Sequence, residues 1–344
     1  MSIHSSCIGN IPTFFLSTIL LITSVILRNF VTFIFIGPIG SFIHREVYDF
    51  IESKKIDYFI LGEGTNIIPP DRYKGLVVSL NFKSIERKSD LIRVGSSVNW
   101  NDLVQYAVMN DIYGFENLSL IPGSVGAAPI QNIGAYGVDV EPLIYKVYFF
   151  DLQVGSFNSL NSDECNFGYR DSLFKESAKI ITHIEFKSNL DKKLSLTYKS
   201  LLDKVNELRL DKKFLSPKII AKLVSQIRLD ILPNPKIEPN VGSFFKNPII
   251  DVNTINTDYY SLSDLIIWDL ENGLVKVGAA RLIQLIKNEL PENKNVFLSK
   301  RHNLVLTTNG NATQQNVLNF AETIQAKVKY FFNINLEIEP RVIS

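Results

Sequence analysis

The chain has 344 residues, 46% hydrophobic and 21% charged, with a formal net charge of +1. This supports a sizeable core in two or three domains and argues against global disorder and against a basic nucleic-acid-binding footprint. The cysteines are Cys7 and Cys165, and His4, His44, His183 and His302 show no ligand spacing, so neither a disulfide framework nor a metal centre is expected, and a reducing, cytoplasmic setting fits.

Residues 5–27 contain no charged residue, and a second uncharged run covers 29–43. A stretch of about 20 apolar residues can cross a bilayer. Here Asn10, Pro12, Thr13, Ser17, Thr18, Thr23 and Ser24 dilute the run, and it lacks the preceding Lys or Arg of a signal peptide. A membrane anchor, a buried strand pair and a degenerate leader all stay open, with membrane contact through residues 5–43 not the favoured reading. Next, Ile43, Val47, Phe50 and Ile51 fall on one face and predict a helix over 41–54. The segment IDYFILGEGTN reads as a buried strand entering a glycine turn. Short strands follow over 76–81 and 91–98, then an amphipathic helix over 100–110 with Asn99 as N-cap. Beyond the glycine-rich segment IPGSVGAAPIQNIGAYG (121–137), strands over 146–151 and 178–186 flank CNFGYRDSLF. Residues 199–230 carry a helical, Leu- and Lys-rich pattern. The prolines of ILPNPKIEPN then mark a domain boundary near 232. The remainder holds VGSFFKNPII, a helix around AARLIQLIKN, a strand over 303–308 and a last helix. That helix begins near Thr313 and aligns Val317, Ala321, Ile324 and Val328. Helices and strands mix without regular βαβ alternation, so the class is α+β.

Five segments carry candidate chemistry. In LGEGTN, Gly62 and Gly64 let backbone N–H groups converge as they do around phosphate oxygens, although such a turn also serves as plain structure. The third glycine and the helix of a dinucleotide fingerprint are missing. In 121–137, Gly123-Ser124-Val125-Gly126-Ala127 offers a second bare loop, and Gln131 and Asn132 can hydrogen-bond a heterocycle or a ribose. Close packing of two elements would explain the same glycines. In FGYRDSLF, Arg170 suits a carboxylate in bidentate fashion, or pairs with Asp171 at the surface. In VGSFFKNP, Ser243 has no nucleophile elbow around it. Shielded by Phe244 and Phe245 it can deliver a proton, or simply serve a turn. In LEIEPRVI, Glu337 and Glu339 alternate with apolar residues and share one strand face, most often a solvated one.

In this order and at these spacings, LGEGTN, IPGSVGAAPIQNIGAYG, CNFGYRDSLFK, GSFFKNP and LEIEPR resemble the UDP-N-acetylenolpyruvoylglucosamine reductase family, flavoenzymes of peptidoglycan precursor synthesis. The resemblance runs from about residue 58 to the end. It implies a two-part FAD-binding unit of the vanillyl-alcohol-oxidase type (41–82 and 83–232), preceded by an atypical apolar segment (1–40). A substrate-binding α+β domain (233–336) and a C-terminal strand returning to the active site (337–344) would complete the chain. The implied reaction passes hydride from NADPH through FAD to the enolpyruvyl group of UDP-N-acetylglucosamine enolpyruvate, in a monomer without metal. By this resemblance Gly62, Glu63, Gly64, Thr65 and Asn66, with Gly123, Ser124, Val125, Gly126 and Ala127, cradle the FAD pyrophosphate. Gln131, Asn132, Gly134 and Gly137 run along the flavin. Arg170 and Glu339 attend the enolate and Ser243 is the proton donor. Tyr169 and Tyr198 lie near the substrate, and Asn247 and His302 near its diphosphate. The chain departs from the family at Ile231, where a lysine normally precedes Leu-Pro, and at Pro239 and Val241 before the serine. It also lacks the usual first-strand pattern. Two other readings are a drifted FAD oxidoreductase of the same fold and a membrane-tethered flavin-binding protein without this activity.

Overall fold

The computed structural model describes residues 33–36, 53, 55 and 57–344. The predicted helix over 41–54 therefore lies outside the described residues apart from Ser53, which is helical, and so does the apolar run over 5–43 apart from 33–36. Among the described residues no helix is long and apolar enough to cross a membrane.

Short apolar runs rich in β-branched and aromatic residues form the first layer. Strands Phe33–Ile36, Leu76–Leu80 and Tyr58–Leu61 lie side by side, all parallel, with Leu76–Leu80 in the middle. Val77 and Val78 in that central strand are fully buried, as continuous apolar strands flanked on both sides require. The second layer is an antiparallel sheet of five strands in the order Ser156–Asn161, Ile144–Asp151, Lys179–Lys187, Leu91–Gly95 and Ile85–Lys88. Helix α1 (Trp100–Met109) packs on it. Asn99 caps α1 by accepting from the N–H groups of Asn101 (2.9 Å) and Asp102 (3.3 Å), as its sequence position predicts. Leu103, Val104, Ala107 and Val108 then turn inward from α1 to meet Ile92, Val94, Phe115 and Phe186. The Trp100 indole N–H donates to the Leu118 carbonyl at 2.9 Å, so this ring is buried without an orphan donor.

The helical pattern over 199–230 resolves into two helices, α2 (Lys199–Glu207) and α3 (Pro217–Ile231). Pro217 causes the break. It lacks an N–H, and its ring would meet the carbonyl four residues back if a helix continued into it. It sits instead in the first turn of α3, with the Ser216 hydroxyl accepting from the Ile219 N–H at 3.4 Å. Leu201 and Val205 of α2 pack with Ile220, Leu223, Val224 and Ile227 of α3, and the cluster closes over Tyr136.

After the prolines the chain builds a second core. Strands Ile249–Asp251, Leu274–Val277 and Ile267–Asp269 form an antiparallel sheet, and Val296–Leu298 pairs with Leu306–Thr308. Helices α4 (Ala279–Ile286) and α5 (Gln314–Phe332) cover them. Thr313 caps α5, and Ala321, Ile324 and Val328 are fully buried on the expected face beside Leu282, Ile286 and Phe244. The chain finally returns to the first layer. Strand Arg341–Val342 pairs in parallel with Ile67–Ile68, directly after the first glycine loop. The Gln314 amide fixes this junction by donating to the carbonyls of Ile68 (2.9 Å) and Ile343 (2.8 Å).

Candidate functional site

Arg170 sits at the tip of a tight turn. Gly168 and Asp171 exchange backbone hydrogen bonds across it (3.0 and 3.3 Å), which forces Arg170 into left-handed backbone geometry at φ 55°. Three contacts hold the turn. The Asn132 amide donates to the Gly168 carbonyl (3.1 Å), the Ser172 hydroxyl to that of Ile130 (2.9 Å), and the Lys175 ammonium to that of Arg170 (3.3 Å). The guanidinium is thereby aimed at the glycine-rich segment, where Nη2 donates to the Gly134 carbonyl at 2.7 Å. Nη1 lies 3.4 Å from Asp139 Oδ1 and Nε 3.6 Å from Glu339 Oε1.

Glu339 arrives from the C-terminal end of the chain. Its N–H donates to the Phe244 carbonyl (2.9 Å), and the Lys246 N–H donates to that of Glu337 (2.9 Å), so 337–339 runs beside 244–246. The two carboxylates fare differently. Glu337 is 68% exposed and pairs with the Lys246 ammonium, whereas Glu339 is only 16% exposed and faces Arg170. The expectation of a solvated face therefore fails for Glu339, because the Arg170 turn covers it. Burial pushes the Glu339 carboxyl above its usual range, against the opposing pull of Arg170, Lys246 and Lys175. Burial likewise raises the Tyr169 phenol.

Ser243 immediately precedes Phe244, whose carbonyl anchors Glu339, and it bridges to Val305 across the second core. The loop that presents it is clipped by Asn240. That side chain accepts from the Gly242 N–H (3.0 Å) and donates to the Glu238 carbonyl (2.7 Å). Gly242 takes φ 77° with open space where a Cβ would lie. Pro239 and Val241 are thus accommodated, with the turn itself made by Asn240 and Gly242.

The two bare loops meet. A Cβ on Gly62 would lie 2.8 Å from the Ser124 hydroxyl, and one on Gly123 would lie 3.2 Å from the Thr65 hydroxyl. The side chains of Asn99 and Glu63 (2.8 Å) and of Asn66 and Gln131 (2.6 Å) tie the loops together. The N–H groups of Glu63, Gly64, Thr65, Gly123 and Ser124 find no acceptor among the described residues. Convergent free amides of this kind fit an anion. The glycines further along answer to packing. The Val125 and Gly126 N–H groups are spent on the Val98 and Ser96 carbonyls (2.8 Å each), and a Cβ on Gly126 would strike Ser96 at 2.6 Å. Ala127 donates to Ser124 within the same turn. Asn132 is occupied at both ends, by the Gly168 carbonyl and the Glu141 N–H, so it braces the Arg170 turn. Gly134 is bare because Arg170 and Asp139 fill the space beside it, and Gly137 because Thr197 does.

Of the remaining residues, the Tyr169 hydroxyl accepts from the Asn247 N–H at 3.3 Å, and the Lys276 ammonium lies 4.6 Å from the Tyr169 ring centroid. The Asn247 side chain accepts from the Ala279 N–H (2.9 Å) at the start of α4. Tyr198 opens α2, 41% exposed, with its ring edge-on to Tyr136 at 5.2 Å. His302 Nδ1 accepts from the Leu304 N–H at 3.2 Å. Burial, then Arg228, hold its pKa down. Sequence reasoning missed Lys175, Lys246 and Tyr136, although all three lie inside the quoted motifs, and also Asp139, Arg228 and Lys276.

Residues 44–148 match the model of an FAD binding domain, and residues 234–343 match that of the C-terminal domain of UDP-N-acetylenolpyruvoylglucosamine reductase. Proteins named UDP-N-acetylenolpyruvoylglucosamine reductase are similar along most of their length. The protein from Polynucleobacter asymbioticus is 36% identical over 305 residues, covering 87% of each chain. The one from Buchnera aphidicola subsp. Baizongia pistaciae is 35% identical over 298 residues, covering 85% of this chain and 88% of that one. The crystal structure of the reductase from Thermus caldophilus superposes with a TM-score of 0.60 at 22% identity, over 91% of this chain and 92% of that one, and shows a shared fold. With an FAD-binding unit leading into this C-terminal domain, and relatives alike over more than four fifths of the chain, the protein belongs to the UDP-N-acetylenolpyruvoylglucosamine reductase family.

Proposed function

We propose that this chain reduces UDP-N-acetylglucosamine enolpyruvate to UDP-N-acetylmuramate with NADPH and FAD. The observation that carries the reading is the approach of Arg170 to Glu339, whose backbone is in turn hydrogen-bonded to Phe244, the residue after Ser243. The glycine loops supply the fit for FAD. Free amides from two loops converge where side chains on Gly62 and Gly123 would intrude, which suits a pyrophosphate. When bound, FAD supplies the hydride transfer from NADPH to the enolpyruvyl double bond.

The protein's own residues handle the charge and the proton. Addition of hydride to the terminal vinyl carbon pushes negative charge onto the carboxylate side, as an enolate. Arg170 is placed to stabilise that charge with a guanidinium pre-set by the Gly134 carbonyl and by Glu339. Those contacts are made by the protein itself, so little reorganisation is needed as charge develops. Glu339 steadies the Nε edge of the guanidinium, and Lys175 holds the Arg170 backbone from behind. The Ser243 hydroxyl gives a proton to the carbon alpha to the carboxylate, which completes the lactyl ether. The resemblance gives Tyr169 and Asn247 as substrate contacts, and the hydrogen bond from the Asn247 N–H to the Tyr169 hydroxyl holds the two together.

An anaerobic visible spectrum tests the reading directly. The purified protein should show a flavin band that bleaches with NADPH and returns when the enolpyruvyl nucleotide is added. A band that bleaches but does not return would overturn the substrate assignment, and a colourless protein would overturn FAD binding.

A further inference from the structure

Asp139 owes its place beside Arg170 to a tight hairpin. Gly134–Ala135 pairs with Val138–Asp139, and the register sets Gly134 directly opposite Asp139. The two connecting residues, Tyr136 (φ 50°) and Gly137 (φ 80°), both take left-handed backbone, which is the geometry of the favoured two-residue hairpin turn. Because Gly134 has no side chain, the Asp139 carboxylate folds across it, and Oδ1 lies 1.8 Å from where a Cβ would stand. One hairpin thus offers two acceptors to one guanidinium. The Gly134 carbonyl accepts from Nη2 at 2.7 Å, and Asp139 Oδ1 lies 3.4 Å from Nη1.

The two acceptors differ in firmness. The Nη2 bond is short and made to backbone, so it moves only with the hairpin. Nη1 is held loosely, because its two acceptors, Asp139 and the Asn132 carbonyl, both lie at 3.4 Å. A strong charge-assisted bond measures about 2.7–2.9 Å. Elsewhere the guanidinium is enclosed. Nε faces Glu339, which is only 16% exposed, and Cζ lies 5.3 Å from the Tyr169 ring centroid. Among these partners Asp139, 54% exposed, is the side chain that can turn out into solvent. Exposed ion pairs are weak, so little is lost when it does. A carboxylate grips a guanidinium best through two parallel N–H bonds, and the Nη1–Nη2 edge is where the hairpin has set its two acceptors. A second carboxylate at this edge would carry the same charge as Asp139 and make the same claim on Nη1.

We propose that Asp139 is a specificity-determining residue that competes with the carboxylate of a sugar nucleotide for Nη1 of Arg170. This rests on the reductase reading, which brings such a carboxylate to the guanidinium. A ligand that carries the anion displaces Asp139 and gains the arginine. A ligand without it leaves the pair in place and gains nothing there. Asp139 thus lowers the affinity for every ligand that uses Nη1.

Calorimetric titration of the FAD-loaded protein with UDP-N-acetylmuramate, which carries the lactyl carboxylate, and with UDP, which does not, tests the competition. Asp139→Asn removes the charge with almost no change in size. It should tighten UDP-N-acetylmuramate by about 2- to 5-fold, the range for an exposed ion pair, and leave UDP as it was. Asp139→Ser, whose hydroxyl is too short to reach Nη1, should act in the same direction. In stopped flow, reoxidation of the reduced flavin should reach half-saturation at a correspondingly lower concentration of the enolpyruvyl nucleotide. An aspartate needed only to hold Arg170 in place would give the opposite sign, with looser binding in both variants. Looser or unchanged binding of UDP-N-acetylmuramate would overturn the proposal and leave the reductase reading intact. Equal tightening of UDP would overturn it as well, because a general change of potential would then replace competition at Nη1. A parent protein whose reduced flavin is not reoxidised by the enolpyruvyl nucleotide would overturn the reductase reading and the proposal with it.

Discussion

Gly134→Ala is a sharp test of the catalytic arrangement, because the added methyl would land inside the Arg170 contact network. An ideal Cβ at this position lies 1.8 Å from Asp139 Oδ1 and 2.9 Å from Arg170 Nη1. Asp139 is 54% exposed and can swing into solvent. The Gly134 backbone lies outside the left-handed region, so alanine itself is tolerated there. The fold should therefore hold, and the disturbance should fall on Arg170. Its 2.7 Å bond to the Gly134 carbonyl and its 3.4 Å approach to Asp139 both depend on the space the glycine leaves. A charge-assisted hydrogen bond is worth about 1.5–3 kcal/mol, which corresponds to roughly a 10- to 100-fold loss in the step it serves. Stopped-flow absorbance separates the two half-reactions. Flavin bleaching by NADPH should proceed at close to the parent rate, and reoxidation by the enolpyruvyl nucleotide should slow by that factor. Asp139→Ala in the same background relieves the clash with Asp139 but not the one with Arg170, so most of the defect should persist. Equal slowing of both half-reactions, or full recovery in the double variant, would refute the idea that Gly134 is bare on behalf of Arg170.

Ser243→Ala should leave flavin bleaching intact and slow reoxidation by about 10²- to 10⁴-fold, the range for a lost general acid. If reoxidation continued at the parent rate, another group would have to supply the proton. His183 offers a prediction about stability. It sits mid-strand with its ring edge-on to Phe82 at 5.0 Å, and burial pushes its pKa down to about 4, assisted by Arg93 and opposed by Glu86. The unfolded chain takes up this proton near pH 6.5, before the folded one does, so the stabilisation present above about 6.5 is lost as the pH falls toward about 4. Urea midpoints at pH 7 and 4.5 should thus fall further for the parent than for His183→Gln, and parallel losses would show that the ring is not held neutral.

Much of this was legible in the sequence, for identifiable reasons. The Asn99 cap and the start of the last helix near Thr313 follow from local chemistry that acts over a few residues, and there reading and structure agree. Pro217 breaks a helical pattern that composition alone carries through, because Leu and Lys are frequent on both sides of the gap. The glycines of 121–137 proved harder to read. A glycine excludes a side chain for whatever approaches it, and the sequence does not say whether that is a ligand or the protein itself. Gly126 yields to Ser96 and Gly134 to Arg170 and Asp139, while Gly62 and Gly123 border the free amides. Asn132 reads as a hydrogen-bonding partner for a ring, and in the fold its amide also donates to the Gly168 carbonyl and accepts from the Glu141 N–H.

The pairing of Arg341–Val342 with Ile67–Ile68 has a temporal side. A growing chain that has emerged as far as Thr308 already carries both glycine loops, Arg170 and Ser243. It still lacks Glu339 and the strand that seats it. The Arg170–Glu339 pair can therefore form only once the last residues of the chain have been made, which places it latest among the contacts of the site in the order of synthesis.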